Sequence, residues 1–333
     1  MIAVVTLTYT WLGGMTAVIW MDVTQLILYL SGTAVAAILL LTMLSGEWSS
    51  IWIAASNSNK LTLFDFTFTL TRDYTFWSAI IGGVFFTAAT HGTDQMFVQR
   101  YLCCRSVSEA RRALIISGVV IFFQFAIFLF IGILLWAYYM GLAGTTLSSI
   151  TIDGAIQTDR VFPLFIVTKF PTGLKGLIVA AIMAAAMSTL SSSLNSSASS
   201  LIGDFYINQN GVSHSNKHLM RLARWATVAC ALFQIFVALA AIQSSQRVID
   251  NVLSVQFFTG GVVLGIFLLS MIDSARLPAV GFSALISGFL AMLLLSNLTD
   301  VSWQWYTLIG TVTTVGVGSL VSNIFQSVPG KAD

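Results

Sequence analysis

The chain has 333 residues, of which 8% are charged, 15 Lys or Arg against 13 Asp or Glu. Hydrophobic residues make up 57%, and the mean hydropathy is +0.88. A soluble domain carries about 25% charge and needs a polar surface. The composition therefore excludes an ordinary soluble enzyme and a disordered chain, and a net charge of +2 excludes a nucleic-acid binder.

The charged residues bracket long empty windows. None falls in 23–46, 74–93, 113–152, 176–203, 225–246, 251–272, 277–299 or 301–330. Each window is near the roughly 20 residues that a bilayer-crossing helix needs. Lipid admits only helices or closed barrels, and these runs are too long for barrel strands. The pattern predicts an all-α polytopic membrane protein with eight spans, near 18–44, 75–101, 112–140, 174–200, 222–244, 248–272, 278–297 and 303–326. Residues 1–12 are apolar but stop at Gly13–Gly14, and they lack the basic start of a signal peptide. The basic clusters Arg100–Arg112 and Lys217–Arg224 place those helix ends in the cytoplasm. Residues 45–74 and 141–173 then form long outer loops. The expected location is the plasma membrane, or the inner membrane of a bacterium.

Polar groups inside a span are expensive unless they face protein, water or a ligand. Three stretches carry them. Asp22 and Gln25 open the first full span, as an interfacial anchor or as the mouth of an ion path. The span 75–101 holds Thr87, Thr90, His91, Gly92, Thr93 and Asp94 in its middle. Gly and Thr both weaken a helix, so this span is expected to break, and broken spans mark transporter binding sites. His91 and Asp94 could also titrate, which keeps proton coupling open. In 181–200, AIMAAAMSTLSSSLNSSASS, small residues run into hydroxyls. Such a stripe serves close helix packing or lines a cation path, since a hard ion takes neutral oxygens. No HExxH, GxSxG, P-loop or paired intramembrane carboxylate is present, so the chain is not read as an enzyme. Cys103, Cys104 and Cys230 give neither a disulfide framework nor zinc spacing.

Four stretches together resemble the sodium:solute symporter family. They are GGMTAVIWMDVTQ (13–25), TDQMFVQRYLCCRSVSEARRAL (93–114), GLKGLIVAAIMAAAMSTLSSSLNSSASSLIGDFY (173–206) and QFFTGGVVLGIFLL (256–269). They occur in the family's order. The resemblance implies a partial inverted-repeat fold similar to that of the leucine transporter, within one transmembrane domain over 1–333. Residues 1–12 would be a stub of core helix four and 18–44 core helix five. Residues 75–272 would supply core helices six to ten, and 278–326 two peripheral helices.

The resemblance also implies roles. Sodium, the coupling ion in place of any organic cofactor, would meet the Ala185 carbonyl and the Ser188 and Thr189 hydroxyls. Asp22, with Ser191 and Ser192, would serve sodium release or a second sodium. Thr87, Thr90, His91 and Gln256 would face the solute. With no Lys or Arg among these four, a neutral polyhydroxy or zwitterionic solute is expected. The family places the other half of each site on core helix one, which the resemblance implies is absent. The chain by itself is then expected not to transport, and a transporter-like sensor is the alternative reading.

Overall fold

In the computed structural model of the protein, the described residues are 2–46, 48–139, 151–152, 155–156, 158–207, 216–241, 248–272 and 278–327. Eleven helices carry the fold among them. They are α1 (Ile2–Met43), α2 (Trp48–Asn57), α3 (Gly83–Gly92), α4 (Gln95–Leu102), α5 (Val107–Ala137), α6 (Val161–Lys169), α7 (Thr172–Ser200), α8 (Asn216–Ala241), α9 (Val248–Ser270), α10 (Pro278–Leu298) and α11 (Tyr306–Ser327). Two π-helical turns, Ser78–Gly82 and Leu201–Ile207, adjoin α3 and α7. A two-residue antiparallel pair, β1 (Thr151–Ile152) with β2 (Ala155–Ile156), is the only strand pairing among the described residues.

Seven of the described helical stretches are long and apolar enough to cross a bilayer. The eighth expected span, 75–101, is divided into the π turn, α3 and α4, none long enough alone. One boundary is corrected. The expected stop at Gly13–Gly14 does not occur, because α1 runs unbroken for 42 residues. A glycine costs about 1 kcal/mol in a helix, whereas an opened backbone in an apolar setting costs several kcal/mol for each unpaired group. The helix therefore continues. Within the two expected loops 45–74 and 141–173, α2 and α6 form short helices that the charge windows did not indicate.

The helices cluster into two compact units, Met1–Leu61 with Leu102–Ser244 and Thr62–Tyr101 with Ser245–Asp333. In the first, α1 packs along α7, and α5 and α8 flank the pair. Ala36, Leu40, Leu134, Leu135, Phe165 and Ile178 form its apolar core. A Cβ on Gly32 would stand 3.2 Å from Ile178, so α1 and α7 touch closely there. The α5 start is closed by a capping box. Ser106 Oγ accepts from the Glu109 N–H at 3.2 Å, and Glu109 Oε2 accepts from the Arg105 N–H at 3.0 Å.

In the second unit, α9, α10 and α11 form a three-helix layer with α3 against α9 and α11. A Cβ on Gly261 would lie 2.7 Å from the Thr307 carbonyl oxygen, so only glycine permits this approach of α9 and α11. The contact is tied by Thr307 Oγ1 donating to Phe257 O at 3.0 Å and Thr311 Oγ1 donating to Gly261 O at 3.1 Å. Small residues with interhelical hydrogen bonds are the usual means of joining helices in lipid.

Candidate functional site

The first unit carries the hydroxyl-rich helix. No charge lies between Lys175 and Asp204, and α7 stays helical through all of its serines. Thr189 Oγ1 donates to Ala185 O at 3.2 Å. Two oxygens at that spacing can both lie about 2.4 Å from one hard cation, in the range such ions take from oxygen. Thr189 is exposed and Ala185 half-buried. The Ser188 side chain lies outside the described residues. Ser191 and Ser192 are each 1% exposed, one turn further along.

Gln234 on α8 reaches α7, its Nε2 donating to Ser193 Oγ at 2.9 Å. Sequence reasoning missed this bond, although Gln234 is an amide in the middle of the charge-free window 225–246. Asp22 is half-buried on α1, the helix that packs along α7. Gln25, one turn on, is 5% exposed, and its Nε2 has no hydrogen-bond partner.

The second unit carries the broken span. Thr90 donates to Phe86 O, and Thr93 Oγ1 donates to Ala89 O at 2.7 Å. Such back-bonds compete with helix continuation, and Gly92 lowers the cost of leaving it. Thr93 departs from helical geometry with φ −128° and ψ −21°. Asp94 then starts α4, its Oδ1 accepting from the Met96 N–H at 2.8 Å.

Beside the break lies a cavity of 280 Å³, lined by Phe86, Thr90, Thr93, Asp94, Gln256 and Thr259 among others. The Phe86 and Phe257 rings stack at 4.1 Å under its wall. The structure thus brings together two of the four expected solute residues, Thr90 and Gln256. Thr87 is exposed and is not in the lining. His91 is turned toward α4, its ring 5.3 Å from Phe97 and 6.1 Å from Tyr101. Its Nδ1 is buried without a partner. Thr93, Asp94 and Thr259 were not assigned to the solute by sequence. Thr259 was findable, since it lies one turn after Gln256 on α9.

A larger cavity of 420 Å³ lies in the first unit, between α1, α5 and α7. Its walls are Leu28, Ile131, Leu135, Ile178 and similar apolar side chains, with none of the expected site residues. It does not suit a polar solute.

A multi-pass helical membrane protein with one span broken beside a polar cavity has the architecture of a secondary transporter. The sodium:solute symporter family matches residues 1–289, and the chain belongs to that family. The family is one of transporters, not enzymes. The chain is 29% identical over 329 residues to the sodium/sialic acid symporter of Proteus mirabilis, covering 98% of this chain and 64% of that protein. It is 28% identical to the sodium-coupled monocarboxylate transporter 2 of Bos taurus, covering 86% of this chain and 45% of that one. Its fold is similar to that of a substrate-bound, outward-open sodium-coupled sialic acid symporter. There the TM-score is 0.80 at 28% identity, over 97% of this chain and 66% of the other. The chain thus spans less than two thirds of the length of these relatives.

Proposed function

We propose that the protein carries out sodium-coupled symport of a small organic solute across the plasma membrane by alternating access. The observation that carries the reading is α7. From residue 176 to its end this helix carries no charge, and it presents the Ala185 carbonyl and the Thr189 hydroxyl 3.2 Å apart, a spacing that suits a desolvated sodium ion. Asp22, Ser191 and Ser192 would serve release or a second sodium. Their support is the packing of α1 along α7 and the burial of both serines. Thr90 and Gln256 would contact the solute across the cavity at the α3–α4 break. Thr87 and His91 would contribute less directly.

The solute we favour is a neutral polyhydroxy or zwitterionic compound, because the cavity lining offers hydroxyls, two amides and Asp94 but no Lys or Arg. The two curated relatives are named for acids, so a competition panel of a polyol, an amino acid, sialic acid and a monocarboxylate is the direct check. Displacement by the two acids alone would remove the neutral reading.

The test of sodium coupling is tracer uptake into proteoliposomes under an imposed sodium gradient, with Ser188→Ala and Thr189→Ala. Hydrogen bonds to charged groups contribute about 1.5–3 kcal/mol, and loss of one oxygen from a cation is comparable. Each variant should raise the half-saturating sodium concentration roughly 10- to 100-fold and change the maximal rate far less. Unaltered sodium dependence in both would overturn the assignment.

A further inference from the structure

Residues 62–77, before the broken span, hold a concentration of exposed aromatic and aliphatic side chains that the transport reading leaves unused. Leu63 is 82% exposed, Phe64 61%, Phe66 62% and Phe68 66%. A structured patch of this kind has a partner. Residues 62–75 form no helix or strand, yet the segment is well tied. Trp77 Nε1 donates to Phe66 O at 3.1 Å, and the Phe76 N–H donates to Asp65 O at 2.8 Å. Arg72 pairs with Asp65 at 2.9 Å. The Ser302 N–H donates to Leu70 O at 2.7 Å. From 64 to 71 apolar residues alternate with Asp or Thr, the pattern of an amphipathic extended segment.

The height of the patch relative to the membrane follows from its contacts. Phe68 meets Trp305 edge-on at 6.0 Å, and Tyr74 meets Trp303 at 5.7 Å. Trp303 and Trp305 open the span Trp303–Phe325. The patch therefore stands level with the end of a membrane-crossing helix, where aromatic rings gather at the headgroups.

We propose that this segment is an interfacial anchor, with Leu63, Phe64, Phe66 and Phe68 resting among lipid headgroups and the first acyl carbons beside the start of α11. It would fix the depth at which the π turn and α3 enter the bilayer. A partner of this chemistry needs no shape complementarity, which suits exposed rings on an irregular backbone.

The experiment is site-directed quenching in proteoliposomes of phosphatidylcholine and phosphatidylglycerol. Phe66→Cys and, separately, Leu63→Cys are labelled with an environment-sensitive fluorophore, after Cys103, Cys104 and Cys230 are replaced by Ser. Thr71→Cys, at an exposed polar position of the same segment, is the aqueous control. The expected result is stronger quenching by 5-doxyl than by 12-doxyl lipid at 63 and 66. Acrylamide quenching there should be at least about threefold weaker than at 71, consistent with shallow interfacial burial. Leu63 has no ring or hydrogen-bond partner to disturb, so it answers for Phe66 if that variant misfolds. Acrylamide quenching equal to that at 71, without doxyl quenching, would overturn the anchor. Protection from both quenchers together with cross-linking to a second copy or another protein would overturn it as well.

Discussion

Helix α7 and the α3–α4 stretch look alike by composition, each a span with hydroxyl residues where lipid-facing helices carry Leu and Phe. They fold differently. Helix α7 stays intact through 29 residues, whereas the other breaks after ten. Hydroxyl back-bonds alone are not sufficient, since Thr189 back-bonds to Ala185 O much as Thr93 does to Ala89 O. What differs is the presence of a glycine and an aspartate within three residues, Gly92-Thr93-Asp94. Glycine leaves the helix cheaply, and a carboxylate can receive the N–H groups of the next helix. Where α7 finally meets such a pair, at Gly203-Asp204, its helix gives way to a π turn, Leu201–Ile207. A hydroxyl stripe by itself thus makes an intact polar face, the Gly203-Asp204 pair only widens the coil to a π turn, and Gly92-Thr93-Asp94, whose acid accepts an N–H of the next helix, makes a gap.

If that account holds, healing the gap should have the largest effect. Gly92→Leu with Asp94→Leu restores helix propensity and removes the cap. Solute binding at the cavity should fall more than about 100-fold, because Thr93 and residue 94 would be redirected into the helix. That is the scale of a misplaced contact in a formed site. Thermal stability should hold or rise. Isothermal titration with the solute found by competition, alongside a melting curve, reads both. Undiminished affinity would show that the break has no part in binding.

The next effect tests burial within α7. Ser192→Leu forces a larger side chain into a position 1% exposed, and overpacking of this kind costs about 1–3 kcal/mol. Thr189→Leu, at an exposed position, should stay within about 0.5 kcal/mol and still weaken sodium activation. A melting-temperature drop for Thr189→Leu as large as that for Ser192→Leu would mean that the exposed hydroxyl face is packed after all. Gly261→Val extends the same logic to the second unit. The added carbon meets the Thr307 backbone at 2.7 Å, whereas one at Gly118 on α5 meets nothing within 4 Å. Val at 261 should destabilise by more than about 1 kcal/mol. Val at 118 should be nearly neutral.

A smaller effect is expected at Gln234. Its Nε2 donates to Ser193, but its Oε1 is buried without a partner. Removing a half-satisfied amide removes a desolvation cost along with a bond. Gln234→Leu should change stability by less than about 1 kcal/mol. A larger loss would show that the amide oxygen has a ligand in the membrane.

The existence of spans was legible because charge is so costly in lipid that its absence marks each helix. The break at 92–94 was legible because Gly, Thr and Asp act locally. Helix facing was not. These spans are apolar all round, so a 3.6-residue period says little about which side meets a neighbour. That is why His91 and Thr87 were expected at the cavity beside Thr90, when the structure turns His91 onto Phe97 and Tyr101 and leaves Thr87 exposed. The run of α1 through Gly13–Gly14 was missed for the opposite reason. Local propensity argued for a stop, and the demand for backbone pairing over an apolar stretch overrode it. The division into two units interleaves distant segments, a long-range property that windows of 20 residues cannot carry.

The smallest effect concerns the capping aspartate in a place where pH can reach it. Asp65 receives the Thr67 N–H at 3.0 Å on Oδ1, the same i to i+2 bond that Asp94 makes with Met96. Its carboxyl is held below the ordinary aspartate range, foremost by the Thr67 side-chain hydrogen bond, then by the Thr67 backbone bond, with Arg72 assisting against a small desolvation penalty. A carboxylate whose folded pKa is depressed contributes stability above its unfolded value and loses it as pH falls through the folded one. The segment 62–77 should therefore hold its arrangement from pH 8 down to pH 5, and loosen only below the ordinary aspartate value of about 3.9. Emission from the label at Thr71→Cys, titrated from pH 8 to pH 2, reads this. Asp65→Asn keeps an acceptor for Thr67 but cannot titrate, so its curve should be flat. The pair with Arg72 is exposed and screened, so 1 M salt should alter the wild-type curve only slightly. A transition above pH 5 that Asp65→Asn abolishes would mean that the carboxylate is strained in the folded segment, and the parallel with Asp94 would fail.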